Sequence, residues 1–205
     1  MLHLLAPLRL NFSIQSHIVA CMLELLELRR NIAHLLLGTF FAFLVISFPH
    51  GLVLVGNAIL IGGLIVASFL YQRYDIALLN WLFARFDRPG RFTAKGAITF
   101  FVGTFIAVLL FAPLYAALGI LVLAIGDSLA TIAGHYAGKH IVFKKKTLEG
   151  AVAFFVCAFT ILVLFIAPAK ALLVAVIACG TELFTPPNLD DNITIPFVTG
   201  LLLSL

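Results

Sequence analysis

Long runs of apolar residues, separated by short polar segments, dominate the pattern along this chain. A helix that crosses a bilayer needs about 20 such residues, and the shorter runs must tilt or extend into flanking polar turns. Seven runs qualify as predicted spans, at residues 35–48, 52–71, 97–112, 114–125, 148–167, 169–184 and 193–205. The pattern therefore predicts an all-α, polytopic membrane protein.

Two further segments have the pattern of amphipathic helices that lie on a membrane surface. In residues 2–28 apolar positions alternate irregularly with polar ones, which favours an interfacial helix over an eighth span. Residues 73–88 place Ile76, Leu79 and Phe83 on one face, with Trp81 suited to the headgroup zone. This helix either lines a lipid entrance or simply connects two spans. No linker or repeat divides the chain, which predicts one domain over residues 1–205.

Composition supports a membrane environment, because 63% of the residues are hydrophobic and only 11% are charged. An ordinary soluble domain has roughly 25% charged residues. The basic residues cluster before the first predicted span, after the second and after the fourth, so the positive-inside rule places these loops in the cytoplasm. Topology and phosphate binding explain the net charge of +4, and we expect no nucleic-acid partner.

The rare polar residues gather at the predicted cytoplasmic ends of the spans. Glu27, Arg30, Asn31 and His34 follow the spacing i, i+3, i+4, i+7 and therefore share one helical face. That face suits a phosphate. The simpler interpretation is an arginine pair that sets topology, beside a hydrogen-bonded interfacial histidine.

Asp127 ends a long apolar run, where an ionised carboxylate costs a few kcal/mol unless it meets a cation. A bound Mg²⁺ would supply that cation. Gly134 and Gly138 permit close backbone approach, and Lys139 follows them in position to meet phosphate oxygens. The alternative for the two glycines is close helix packing without any ligand.

Two more polar elements follow. Lys145 and Lys146 precede Thr147 and Glu149 at the start of a predicted span, which predicts a triphosphate site at a helix N-terminus; lysines alone would only set topology. The fourth element is a late acidic loop that lacks Lys and Arg and suits a divalent cation such as Mg²⁺. It consists of Glu182, Asp190, Asp191 and Asn192.

In this order, the four elements resemble the CTP-dependent lipid kinases, a family that includes dolichol kinase, phytol kinase and CTP-dependent diacylglycerol kinases. The resemblance covers Glu27 to the end of the chain. Its motifs are E-x-x-R-x-x-x-H, G-D-x-x-A with a following G-K, K-K-T-x-E-G, and a glutamate followed by D-N-x-x-x-P. Asn31 departs from the family, whose members often carry a basic residue there, and so does the stretch of Thr185, Pro186 and Pro187.

The resemblance implies transfer of the γ-phosphoryl group of CTP to the hydroxyl of an isoprenoid alcohol, with Mg²⁺ as the cofactor. The implied nucleotide-binding residues are Arg30, Lys139, Lys145, Lys146, Thr147 and Glu149. The implied catalytic residues are Asp127, Glu182 and His34, with Glu182 orienting or deprotonating the hydroxyl. The implied metal ligands are Asp127, Asp191 and Asn192.

Three other functions stay open at this point, together with the oligomeric state and the length of the lipid. A CTP-dependent diacylglycerol kinase would use the same nucleotide on another lipid. Phosphatidate cytidylyltransferases look similar across residues 127–150, but they end on an H-G-G-x-x-D-R-x-D type signature that is absent here. A small membrane transporter, the non-enzymatic alternative, should not bind CTP with Mg²⁺.

Overall fold

The computed structural model describes residues 12–87, 93–144, 146–186 and 189–205 of the chain, which are mostly α-helical. A segment of π-helix, Val122–Asp127, joins the helices Pro113–Leu121 and Ser128–Tyr136 without a break, and a two-stranded antiparallel hairpin precedes the helix Leu148–Val163. The strands are β1 (Ile141–Phe143) and β2 (Lys146–Thr147). The helices are α1 (Phe12–Ser47), α2 (His50–Arg73), α3 (Ala77–Phe86), α4 (Lys95–Leu110), α5 (Pro113–Leu121), α6 (Ser128–Tyr136), α7 (Leu148–Val163), α8 (Pro168–Phe184) and α9 (Asp191–Ser204).

Three helical segments among the described residues are long and apolar enough to cross a membrane: Glu24–Ser47, His50–Arg73 and Pro113–Tyr136. The prediction of an all-α chain with membrane-length helices is therefore confirmed. By the criterion of length, fewer than the seven predicted spans are found, because the other four predicted spans correspond to helices of 14 to 17 residues. A straight crossing needs about 20.

The predicted boundary between an interfacial helix and a first span is wrong. Helix α1 runs without a break from Phe12 to Ser47, since nothing between residues 28 and 35 interrupts a helix; residues 2–11 of the predicted interfacial helix lie outside the described part. The helix ends just before Pro49, because a proline disfavours helical geometry in the residue that precedes it.

A separate helix does lie within the segment 73–88, as predicted, but it is shorter: Arg73 ends α2, α3 runs from Ala77 to Phe86, and residue 88 is outside the described ranges. Phe83 of α3 is buried, and its ring centroid lies 4.9 Å from that of Tyr71 on α2. Trp81 stays half exposed, with the Arg85 guanidinium 4.2 Å from its ring centroid. Phe83 thus packs this short helix against α2, and α3 also contacts α1.

Asp127 does not mark the end of a helix, contrary to the prediction of a span that stops at residue 125. The chain passes through the π-helical turn and continues as α6 to Tyr136. A lone Gly126 is too weak a breaker to end a helix in which good helix formers follow. Such π-helical turns shift the faces of a helix and often occur at functional sites.

The helix formed by α5 and the π-helical turn is the centre of the core. Its small residues allow other helices to approach closely: a Cβ atom on Gly38 of α1 would lie 2.3 Å from the Cβ of Ala124. A second close approach, between α4 and α9, also depends on a glycine: a Cβ atom on Gly103 of α4 would lie 2.0 Å from the backbone oxygen of Asn192 on α9. Close backbone contact of this kind is how helices associate where no hydrophobic effect drives them together.

We predict that Gly103→Ala destabilises the protein, because α4 and α9 must move apart to admit the new methyl group. Overpacking of this kind usually costs about 1–3 kcal/mol. Gly62→Ala on α2 is the matched control, since nothing lies within 4 Å of its added Cβ and alanine favours a helix. Thermal unfolding of both variants in detergent measures the difference, and equal unfolding temperatures would contradict the α4–α9 contact.

Candidate functional site

All four polar elements of the sequence contribute to one cavity of about 840 Å³. Its walls come from α1, the π-helical turn, α6, β2 and the first turns of α7, with α8 and α9 closing it. The lining residues that the sequence analysis singled out are Glu27, Asn31, Asp127, Gly134, Lys146, Thr147, Glu182 and Asp191. We call this space the site cavity.

Lys146 is the cation in the wall of the site cavity, and it joins two carboxylates. Its Nζ lies 2.7 Å from Oε1 of Glu182 and 2.8 Å from Oδ2 of Asp191, and it also donates to the backbone oxygen of Glu182. Burial lowers the pKa of Lys146, but the two carboxylates outweigh burial, so the pKa is raised above its usual value. The ammonium group is therefore charged at neutral pH.

Each of these carboxylates keeps one buried oxygen, Oε2 of Glu182 and Oδ1 of Asp191, without a hydrogen-bond partner among the described residues. Such buried, unsatisfied acceptors are costly, and a cation would satisfy them. Mg²⁺ typically takes one or two protein carboxylates and completes its shell with water and substrate phosphates. The residues present fit that partial role. The described residues hold no group of three His, Cys, Asp or Glu side chains that could bind a metal unaided.

The hairpin and the start of α7 place the cation and the hydroxyl of the third element. Thr147 caps α7, where its Oγ1 accepts a hydrogen bond of 3.2 Å from the Gly150 amide. A Cβ on Gly134 would lie 3.0 Å from that oxygen, and one on Gly138 would lie 2.8 Å from the Thr147 methyl group. The two glycines thus pack closely against Thr147, and the positive N-terminal end of α7 borders the site cavity.

The polar face of α1 divides between two environments. Glu27 and Asn31 line the site cavity. Arg30 donates to Glu27 at 2.8 Å, and His34 lies on the α4 side, with its ring centroid 5.0 Å from that of Phe100. The Nε2 of His34 is buried without a hydrogen-bond partner among the described residues. The spacing in the sequence predicted that these residues share one face. In the folded protein, Glu27 and Asn31 on that face line the site cavity, whereas His34 packs towards α4.

Other predicted nucleotide-binding residues lie outside the site cavity or outside the described ranges. Lys139 is exposed beyond the end of α6. Glu149 points to His140, whose Nδ1 is 2.8 Å from its Oε1. Lys145 belongs to the part of the chain that is not described. Of the predicted cations, the structure therefore brings Lys146 into contact with the carboxylates of the cavity.

Asn192 is placed differently from the other predicted metal ligands. Its side-chain nitrogen donates to Asp190 at 2.8 Å and to Thr99 of α4 at 3.3 Å, so it supports the start of α9 instead of lining the site cavity with Asp127. Glu182, predicted as a catalytic residue, is the group that stands beside Asp191.

Four polar lining residues were missed from the sequence. Thr131 and His135 follow Asp127 by one and two helical turns, a spacing that becomes informative only when the helix is known to continue past Asp127. Glu24 precedes Glu27 by one turn of α1, and the fourth residue is Tyr136. The signal for Thr131 and His135 was helical periodicity, hidden by the prediction that the span stops at residue 125.

The fold and the site cavity define an all-α protein with membrane-length helices and a partly open cavity that is lined by several charged residues. No protein-family model and no solved structure matches the chain. The chain is 35% identical over 181 residues to the "Uncharacterized protein MJ1137" of Methanocaldococcus jannaschii. The aligned region covers 87% of this chain and 93% of that protein. The chain therefore belongs to the same family as this archaeal protein.

We predict that Lys146→Met destabilises the protein, because it leaves Glu182 and Asp191 facing each other without their shared cation. Breaking a buried ion pair costs about 3–5 kcal/mol, and the 31% exposure of the Lys146 side chain lowers our expectation to about 2 kcal/mol. Lys139→Met, at an exposed lysine, is the control.

Adding Glu182→Gln to Lys146→Met should recover part of this loss, since paired residues are non-additive in a double-mutant cycle. Unfolding of the unsubstituted protein, Lys146→Met, Glu182→Gln and the double variant in detergent at neutral pH gives the coupling. Strictly additive losses would rule out the ion pair as a stabilising contact.

Proposed function

We propose that this protein is a membrane-embedded kinase that transfers the γ-phosphoryl group of CTP to an isoprenoid alcohol of the dolichol, polyprenol, phytol or geranylgeraniol type. The observation that carries the proposal is the convergence of Asp127, Glu182, Asp191 and Lys146 in one cavity of an otherwise apolar chain. Charges of both signs are what a triphosphate and its metal require. The nucleotide and the lipid class come from the sequence resemblance.

The proposal includes seven spans, with α5 and α6 forming one of them. Helices shorter than the bilayer is thick can still cross it by thinning it locally. In this arrangement successive spans cross the membrane in alternating directions. One side of the membrane then contains the early part of α1, the ends of α6 and α8, and the starts of α7 and α9. Those are the parts that line the site cavity, and the basic loops make that side cytoplasmic.

In the proposed reaction, Lys146 and the N-terminal end of α7 at Thr147 bind the phosphates of CTP. Asp127 and Asp191 would hold Mg²⁺, which when bound neutralises phosphate charge. The alcohol oxygen attacks the γ-phosphorus in line, the bond from that phosphorus to the β-phosphate oxygen breaks, and Glu182 accepts the hydroxyl proton. Phosphoryl transfer depends mainly on positioning and charge neutralisation, so a strong base is unnecessary.

The test uses purified protein, Mg²⁺, and CTP labelled in either the γ- or the α-phosphate, with geranylgeraniol, dolichol, diacylglycerol or phosphatidate as acceptor. We expect γ-label in the isoprenoid alcohol. Transfer of γ-label to diacylglycerol alone would indicate a diacylglycerol kinase, and α-label in phosphatidate a cytidylyltransferase. A protein that neither transfers label nor binds CTP with Mg²⁺ would fit the transporter alternative.

We predict that Asp127→Asn lowers turnover by about 100-fold or more, since even residues that only support metal ligands change activity by about 10–100-fold. The protein should still fold, because the amide has nearly the same shape. Asp191→Ala should act similarly, and the double variant should be little worse than either single one, as groups that act together are non-additive. Asp190→Ala, which removes the cap of α9 outside the site cavity, should be milder; near-normal turnover of Asp127→Asn would reject the role of Asp127.

A further inference from the structure

A second concave surface, which we call the lateral groove, lies between α6 and α7 and has a volume of about 630 Å³. The part that α7 contributes follows the helical spacing i, i+3, i+4, i+7, i+8, so it is one continuous face of that helix. Its apolar members on α7 include Val152, Ala153, Val156 and Cys157. Thr160 adds no free polar group, because its hydroxyl donates to the backbone oxygen of Val156 at 2.7 Å.

The lateral groove begins beside the charged part of the protein and leads away from it. Glu149, which pairs with His140, lines one end, and Ile161 lines the other. Between these residues α7 rises roughly 18 Å at about 1.5 Å per residue. The groove opens sideways, where the side chains of Val152 and Val156 are 53% and 54% exposed. It is therefore a long, open apolar groove with a polar mouth.

One residue connects the two spaces: Ile132 lines both the site cavity and the lateral groove. The two spaces therefore meet at this residue of α6. A molecule that passes Ile132 can have a polar end among Asp127 and Lys146 and an apolar end along α7.

We propose that the lateral groove binds the hydrocarbon chain of a single-chain lipid alcohol whose hydroxyl lies in the site cavity beyond Ile132. The proposal rests on the proposed function for the reaction at the hydroxyl, and it adds the path of the chain and the residues that select it. The bilayer interior is as apolar as the groove, so the hydrophobic effect does not select one lipid over another. Selectivity for the alcohol therefore comes from the fit of its chain along α7 and from the binding of its hydroxyl group in the site cavity.

The test is photo-crosslinking of the full-length protein in phospholipid nanodiscs, with no nucleotide added. The probe is a long-chain primary alcohol that carries a diazirine in the middle of its chain. The comparison probe is a phosphatidylcholine with the same diazirine, which reports every lipid-facing surface. Peptide mass spectrometry should find the alcohol probe concentrated on α6 and α7 relative to the phosphatidylcholine probe. An equal distribution of the two probes over α2 and α7 would overturn the proposal.

A pair of matched variants tests the groove itself. Val156→Phe fills it and should lower crosslinking of the alcohol to α6 and α7 by about tenfold, the low end of what one methylene group changes in an apolar enzyme pocket. Val55→Phe makes the same change at a residue of α2 that is 59% exposed, and it should leave that crosslinking unaltered. Equal effects of the two variants, or none from Val156→Phe, would also overturn the proposal.

Kinase activity is measured separately, so the two proposals can fail independently. Selective crosslinking at α6 and α7 without transfer of γ-label would retain the groove and reject the kinase. Transfer of γ-label with crosslinking spread evenly over the bundle would retain the kinase and reject the groove.

Discussion

The contact of Lys146 with Glu182 and Asp191 is the interaction on which the rest of the site depends. Its three members belong to the hairpin, the end of α8 and the start of α9, so one ammonium group determines where these elements meet. In an apolar chain, two carboxylates brought this close repel each other unless a cation lies between them. The same charges that a phosphate site requires therefore also hold its walls together.

The continuous helix from Pro113 to Tyr136 has a second, complementary part in the architecture. Its first half packs against α1 and α9 and is buried at residues 116–120, whereas its second half presents Asp127, Thr131 and His135 to the site cavity. The π-helical turn lies at the change between these two environments. Because this helix is anchored in the packed core, the polar side chains that it presents to the site cavity have defined positions. The proposed phosphoryl transfer would require such positioning.

The proposed reaction joins a highly charged donor to an almost wholly apolar acceptor, and the molecule has a surface suited to each. The site cavity is rich in charge, and the lateral groove beside it is apolar apart from its mouth. Ile132 stands where the two meet. In this view selectivity for the lipid is a property of the α6–α7 face, and selectivity for the donor is a property of Lys146 and the carboxylates around it.

The sequence by itself determined that the chain is helical and apolar enough for a membrane, since long apolar runs permit few other structures. It also identified the four segments that supply the charged residues, because charge is rare and costly in such runs. Tertiary structure alone decided that α1 and the helix through Asp127 continue, that Lys146 and not the exposed Lys139 meets the carboxylates, and that Asn192 turns to α4. The physical reason is that the partner of a polar side chain depends on how helices distant in sequence approach and face one another, which local patterns do not encode.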